Sequence, residues 1–128
     1  EGQLPYASLV RSAPHADSVV RKCEQWLKQH YKQANTLQQL IEQADIPERT
    51  LKRRFKTATG TTLIEYTQNL RIEEAKRLLE AGHMPIDEIS IESGYEDASF
   101  FRRLFKRLTG LTPGQYRKLF QPVASIKT

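Results

Sequence analysis

The chain repeats itself. At an offset of 50 residues, Arg53, Phe55, Lys56, Thr59, Gly60, Thr62 and Tyr66 coincide with Arg103, Phe105, Lys106, Thr109, Gly110, Thr112 and Tyr116, seven identities in 14 positions. Lys52 meets Arg102 and Leu51 meets Phe101 conservatively. Upstream the offset becomes 49, pairing Leu40 with Ile89, Asp45 with Gly94 and Ile46 with Tyr95, so the second unit holds one extra residue at its turn. Short amphipathic helices often look alike, but here caps, glycine stops and basic positions all coincide. Two copies of one supersecondary unit are expected.

The apolar spacing says what the unit is. Val19, Val20, Cys23, Trp26, Leu27 and Tyr31 recur at helical intervals behind a cap at Ala16–Asp17–Ser18. Thr36 and Gln39 have capping-box spacing and open a helix carrying Leu37, Leu40, Ile41 and Ala44. Pro47 begins the next, with Leu51, Phe55 and Ala58 on one side and Gly60 as its stop. Two short helices joined by about three residues have helix-turn-helix geometry. A second box, Thr62 to Glu65, opens a long helix that stops at Gly82, about 28 Å at 1.5 Å per residue. After Pro85, Ile86, Ile89 and Ser93 share a face, and Gly94 marks a turn that needs a positive φ. Asp97 caps a helix with Phe100, Phe101, Leu104, Phe105 and Leu108, stopped by Gly110. A third box, Thr112 to Gln115, starts a last helix with Tyr116, Leu119 and Phe120. No strand-like alternation occurs. The expected fold is all-α, with about seven helices. A linker or tail (1–14) precedes a first helix-turn-helix subdomain (15–60), a linker helix (61–82), a second subdomain (83–121) and a tail (122–128).

Charge narrows the function. The 128 residues carry a net +5 with a pI near 9.5, which favours an acidic partner, nucleic acid before a membrane surface. No apolar run approaches the roughly 18 residues of a membrane span, so no membrane partner is expected. The single cysteine excludes a disulfide framework and a cysteine-based zinc cage, and suggests a reducing, intracellular setting. The charges are segregated. Residues 47–60 set Arg49, Lys52, Arg53, Arg54 and Lys56 against Glu48 alone. Residues 61–92 are acidic, with three bases against seven acids. Residues 96–110 set Arg102, Arg103, Lys106 and Arg107 against Glu96 and Asp97. A solvated, salt-bridged face would mix its signs.

A helix fits the DNA major groove and presents its N-terminal half to base edges. Base readers must then lie opposite the core positions. In the first unit these are Arg49, Lys52 and Arg53; in the second, Ser99, Arg102 and Arg103, with Ala98 placed to touch a thymine methyl. Arginine grips guanine O6 and N7 bidentately, and lysine reaches the same atoms less rigidly. Lys56, Lys106 and Arg107, later in their helices, fit phosphate neutralisation. The helix N-termini near Thr36 and Pro85 offer backbone amides as further phosphate contacts. Catalysis finds no footing. His15, His30 and His83 lack metal-ligand spacing, Cys23 sits on an apolar helix face, and no phosphate-binding glycine loop or catalytic constellation stands out. No enzyme and no cofactor are expected.

The span from His15 to Phe120 resembles the DNA-binding domain of AraC/XylS-type transcription regulators. The resemblance is carried by Leu51–Lys52–Arg53–Arg54–Phe55–Lys56 with Gly60, by the run from Leu70 to Leu79, and by Ile86 to Ile89 through Gly94–Tyr95–Glu96–Asp97. Phe101 to Lys106 and Thr112 to Arg117 complete it. The family implies seven helices, of which the third and sixth read DNA, and by position its readers fall on Arg49, Lys52, Arg53, Ala98, Ser99, Arg102 and Arg103. Pro47 departs from the family's capping serine and Asp45 from its turn glycine. Gln3–Leu4–Pro5–Tyr6 and Pro14–His15–Ala16–Asp17 resemble the junction in members with an amidotransferase-like (DJ-1/PfpI-type) N-terminal domain. Glu1 in place of an initiating Met agrees with a fragment of a longer chain. The resemblance implies a cytoplasmic, nucleoid-associated regulator that binds a double-stranded DNA operator through adjacent major grooves. Its partners are a sensor or oligomerisation domain and, for an activator, RNA polymerase. The competing expectation is a DNA-binding module that uses the same basic faces on phosphates alone, without sequence preference.

Overall fold

The computed structural model describes residues 17–121. The expected tails, His15 and the junction residues 3–16 lie outside them. Seven helices and no strand are found among the described residues: α1 (Ser18–His30), α2 (Thr36–Gln43), α3 (Glu48–Thr59), α4 (Leu63–Ala81), α5 (Ile86–Ser93), α6 (Ala98–Thr109) and α7 (Pro113–Phe120). The chain divides into two compact units between Leu70 and Arg71, inside α4. The long helix expected as a linker thus gives its first half to one unit and its second half to the other.

In the first unit, Val20, Cys23 and Leu27 of α1, Leu40 of α2, Leu51 and Phe55 of α3, and Leu63, Tyr66 and Leu70 of α4 form one core. Asp17 caps α1 by accepting from the Val20 N–H at 3.1 Å. The same carboxylate takes two hydrogen bonds from the Arg54 guanidinium, at 2.9 and 3.1 Å, and so ties α3 to the start of α1. That pairing holds the Asp17 carboxyl below its ordinary range. α2 starts at Thr36 as expected, but not through a capping box. Its N-cap is Asn35, which makes no side-chain cap bond, and Gln39 reaches only the Asn35 side chain, at 2.6 Å.

The second unit buries Ile72, Ala75 and Leu79 of α4, Ile89 of α5, Tyr95, Phe101, Leu104 and Phe105, and Tyr116 of α7. Gly94 ends α5 at φ 111°, and the Arg71 side chain lies where a Cβ on Gly94 would stand. The Arg71 guanidinium also sits over the Tyr95 ring, 4.8 Å from its centroid. Three of the helically spaced apolar residues, Phe100, Leu119 and Phe120, are exposed.

The repeat is a repeat of bonds. Gly60 and Gly110 end α3 and α6 at φ 78° and 84°, each donating to the carbonyl four residues back at 2.8 Å. Thr59 donates to the Phe55 carbonyl at 2.8 Å and accepts from the Thr61 N–H at 3.1 Å. Thr109 does the same with Phe105 and Leu111, at the same distances. Both capping boxes that follow, Thr62 with Glu65 and Thr112 with Gln115, are formed.

These turns order the glycines by cost. Gly60→Ala and Gly110→Ala should each destabilise by about 1–2 kcal/mol, the penalty of a left-handed residue bearing a Cβ. Gly94→Ala should cost more, since its Cβ would lie 2.8 Å from Arg71 Nε. Gly82→Ala should be neutral or mildly stabilising, because Gly82 has no positive φ and open space around it. Urea midpoints at constant slope check the order. Asp17→Asn keeps a competent cap but loses the ion pair, and should cost about 0.5–1 kcal/mol at neutral pH. The folded carboxyl titrates below its unfolded value. Its contribution is therefore complete above the unfolded pKa and lost as pH falls through the folded one. Wild-type and Asp17→Asn stability curves should converge below about pH 4.

Candidate nucleic-acid interface

With Leu51 and Phe55 turned into the core, the helical period turns Arg49, Lys52, Arg53 and Lys56 outward, and all four are exposed. The side chains of Arg49 and Arg53 make no hydrogen bond or ion pair among the described residues. Lys52 pairs with Glu48 one turn back at 2.6 Å, with both side chains about half exposed. Such a pair is worth only a few tenths of a kcal/mol and is readily exchanged for another anion. Lys56 reaches the Gly60 carbonyl at 3.0 Å. Arg54, the fifth cation of this block, is claimed by Asp17 instead.

In the second unit the same construction exposes Ser99, Arg102, Arg103, Lys106 and Arg107, while Ala98 is half-buried at the start of α6. Asp97 caps this helix by accepting from the N–H groups of Ser99 and Phe100 at 2.9 and 3.2 Å. Arg102 lies 3.2 Å from the exposed Asp87. Arg102, Arg103, Lys106, Arg107 and Thr112 line a shallow cleft of about 440 Å³. Four cations around one concavity attract an anion, and no carboxylate lines it. The acidic stretch is partly occupied within its own unit. Glu73 holds Lys76 at 3.2 Å, Glu74 holds Arg77 at 2.8 Å, and Glu80 accepts from the Tyr116 hydroxyl at 2.5 Å.

Thr36 is the correction among the expected contacts. It is 1% exposed, its backbone N–H donates to the Gln33 carbonyl at 3.3 Å, and its hydroxyl lies 2.8 Å from that carbonyl and 2.5 Å from that of His30. It fastens the turn between α1 and α2 and has no free edge for a phosphate. Phe100 shares the apolar spacing of its helix but not its burial. It is 39% exposed on the helix that carries the basic face. Helical period alone does not separate a flanking aromatic from a buried one.

The description of the helix-turn-helix domain family matches residues 40–119, well over half of the chain. Over 83 residues the chain is 37% identical to the HTH-type transcriptional activator RhaR of Escherichia coli K12; those residues are 65% of this chain and 29% of that relative, so the chain spans under a third of its length. Among solved structures, the C-terminal domain of AraT, a response regulator from Geobacillus stearothermophilus, superposes with a TM-score of 0.81 at 29% identity, covering 85% of this chain and 91% of that one. The DNA-binding domain of AdpA, in complex with a target DNA, gives 0.75 at 26% identity, covering 81% and 94%. The chain belongs to the AraC-type helix-turn-helix domains.

Proposed function

We propose, from membership of the AraC-type helix-turn-helix domains, that this chain binds double-stranded DNA with sequence preference, as the DNA-contacting part of a transcription regulator. The observation that carries this reading is the paired construction. Each unit has one helix whose inner face is locked into a core and whose outer face bears exposed cations without strong partners. Arg49, Lys52 and Arg53 read one half-site, and Ala98, Ser99, Arg102 and Arg103 the other. Lys56, Lys106 and Arg107 neutralise phosphates; Thr36 has no part. That RhaR is an activator and that AdpA is seen on its target DNA support the reading. The remainder of the regulator is a sensor or oligomerisation domain, of the amidotransferase-like kind that the N-terminal junction resembles. The regulator works in the cytoplasm at the nucleoid, meets RNA polymerase if it activates, and needs no catalytic centre in these residues.

The test is a preferred site selected from a random duplex pool. Arg53→Ala or Arg103→Ala should cost about 1–3 kcal/mol on that site and relax preference in different halves of it. Equal weakening on every sequence would establish the phosphate-only module instead. Lys56→Ala or Lys106→Ala should each lower the slope of log K against log salt by about one and leave site preference intact.

One half-site per unit makes the site bipartite, read in adjacent major grooves of one DNA face. Inserting about five base pairs between the halves, half of a roughly 10-base-pair turn, should remove most of the specific affinity. Equal affinity for the original and expanded sites in binding titrations would mean that a single unit enters a groove.

A further inference from the structure

The two outward faces differ at their N-terminal turns, where a recognition helix meets base edges. α3 opens with Glu48, Arg49 and Thr50, and α6 with Ala98, Ser99 and Phe100. At the position where the first unit has half-buried Thr50, the second has an exposed aromatic ring. An exposed phenylalanine leaves apolar area in water, so a surface that covers it gains affinity. This ring is also held in place. Its centroid is 5.6 Å from that of Tyr95. Tyr95 is in turn buried against Phe101, with centroids 6.1 Å apart, and under the Arg71 guanidinium. Phe100 shares a helix flank with Arg103 and Arg107, three and seven positions on. A phosphate drawn to Arg107 and a base edge met by Arg103 bring the neighbouring base to the ring. The apolar group displayed in the major groove is the 5-methyl of thymine.

We propose that Phe100 is a specificity determinant of the second unit and packs against a thymine methyl in the half-site read by α6. This rests on the DNA-binding reading above, and the experiment separates the two. Each thymine of the selected site is replaced singly by deoxyuridine, which removes the methyl and leaves every hydrogen-bonding group in place. One replacement, in the half-site that Arg103→Ala relaxes, should weaken the full chain about fourfold, the worth of one buried methyl. Phe100→Ala should bind thymine and deoxyuridine there alike, while Phe100→Leu retains part of the discrimination. Undiminished preference in the other half-site, and an unchanged helical signal, show that each variant is folded. Discrimination that survives in Phe100→Ala assigns the methyl to another residue and overturns the proposal, as does a site in which no thymine methyl matters. A chain with no sequence preference overturns the DNA-reading function itself and this proposal with it.

Discussion

An edge-to-face aromatic pair fixes each recognition helix. The Phe55 ring meets Tyr66 at 5.2 Å and 87°, and Phe105 meets Tyr116 at 5.5 Å and 83°. Such pairs add about 0.5–1.5 kcal/mol beyond their buried area. Their larger effect is angular: once Phe55 points inward, residues 49, 52, 53 and 56 have no other place than the surface. Both phenols stay protonated far above neutrality. Burial raises them, reinforced by Glu24 beside Tyr66 and by Glu80 at Tyr116. The clamp behind the basic face therefore does not titrate where the face itself would work.

Electrostatics follows from that clamp. Cations that no core position can accept gather on one face of α3 and one of α6. Acids occur where they cap or pair, as with Asp97 at the start of α6 and Glu73 beside Lys76. Asp17 marks the boundary of the basic surface, because it engages the half-buried Arg54 with a bidentate grip while leaving Arg53 exposed. Exposure and weak pairing, more than the count of positive residues, define the candidate interface.

Much of this was legible in the residues, and the reason is distance along the chain. The caps at Asp17, Thr62, Asp97 and Thr112 and the stops at Gly60, Gly94 and Gly110 involve partners within five residues, so local chemistry announces them. The outward cations were legible because the helical period and the core fix each other. What was not legible has the reverse property. Thr36 has the spacing of a cap, yet its hydroxyl is claimed by the end of α1, six residues back. Arg54 looks like its neighbours until Asp17, 37 positions away, takes it. Phe100, Leu119 and Phe120 recur at helical spacing, yet remain exposed. The division inside α4 was equally hidden, since one unbroken apolar stripe serves two cores.

The threonine–glycine turn after each recognition helix is built from one hydroxyl and backbone groups, and of the outward side chains of α3 Lys56 alone reaches it, at the Gly60 carbonyl, while Arg49, Lys52 and Arg53 take no part. Inheritance of the fold is thereby uncoupled from inheritance of the binding surface. The copies have kept Thr59 with Thr109 and Gly60 with Gly110, while Arg49 now faces Ser99 and Thr50 faces Phe100 across the duplication. Two units that share one turn can therefore differ in their outward residues without any change in how either helix is held.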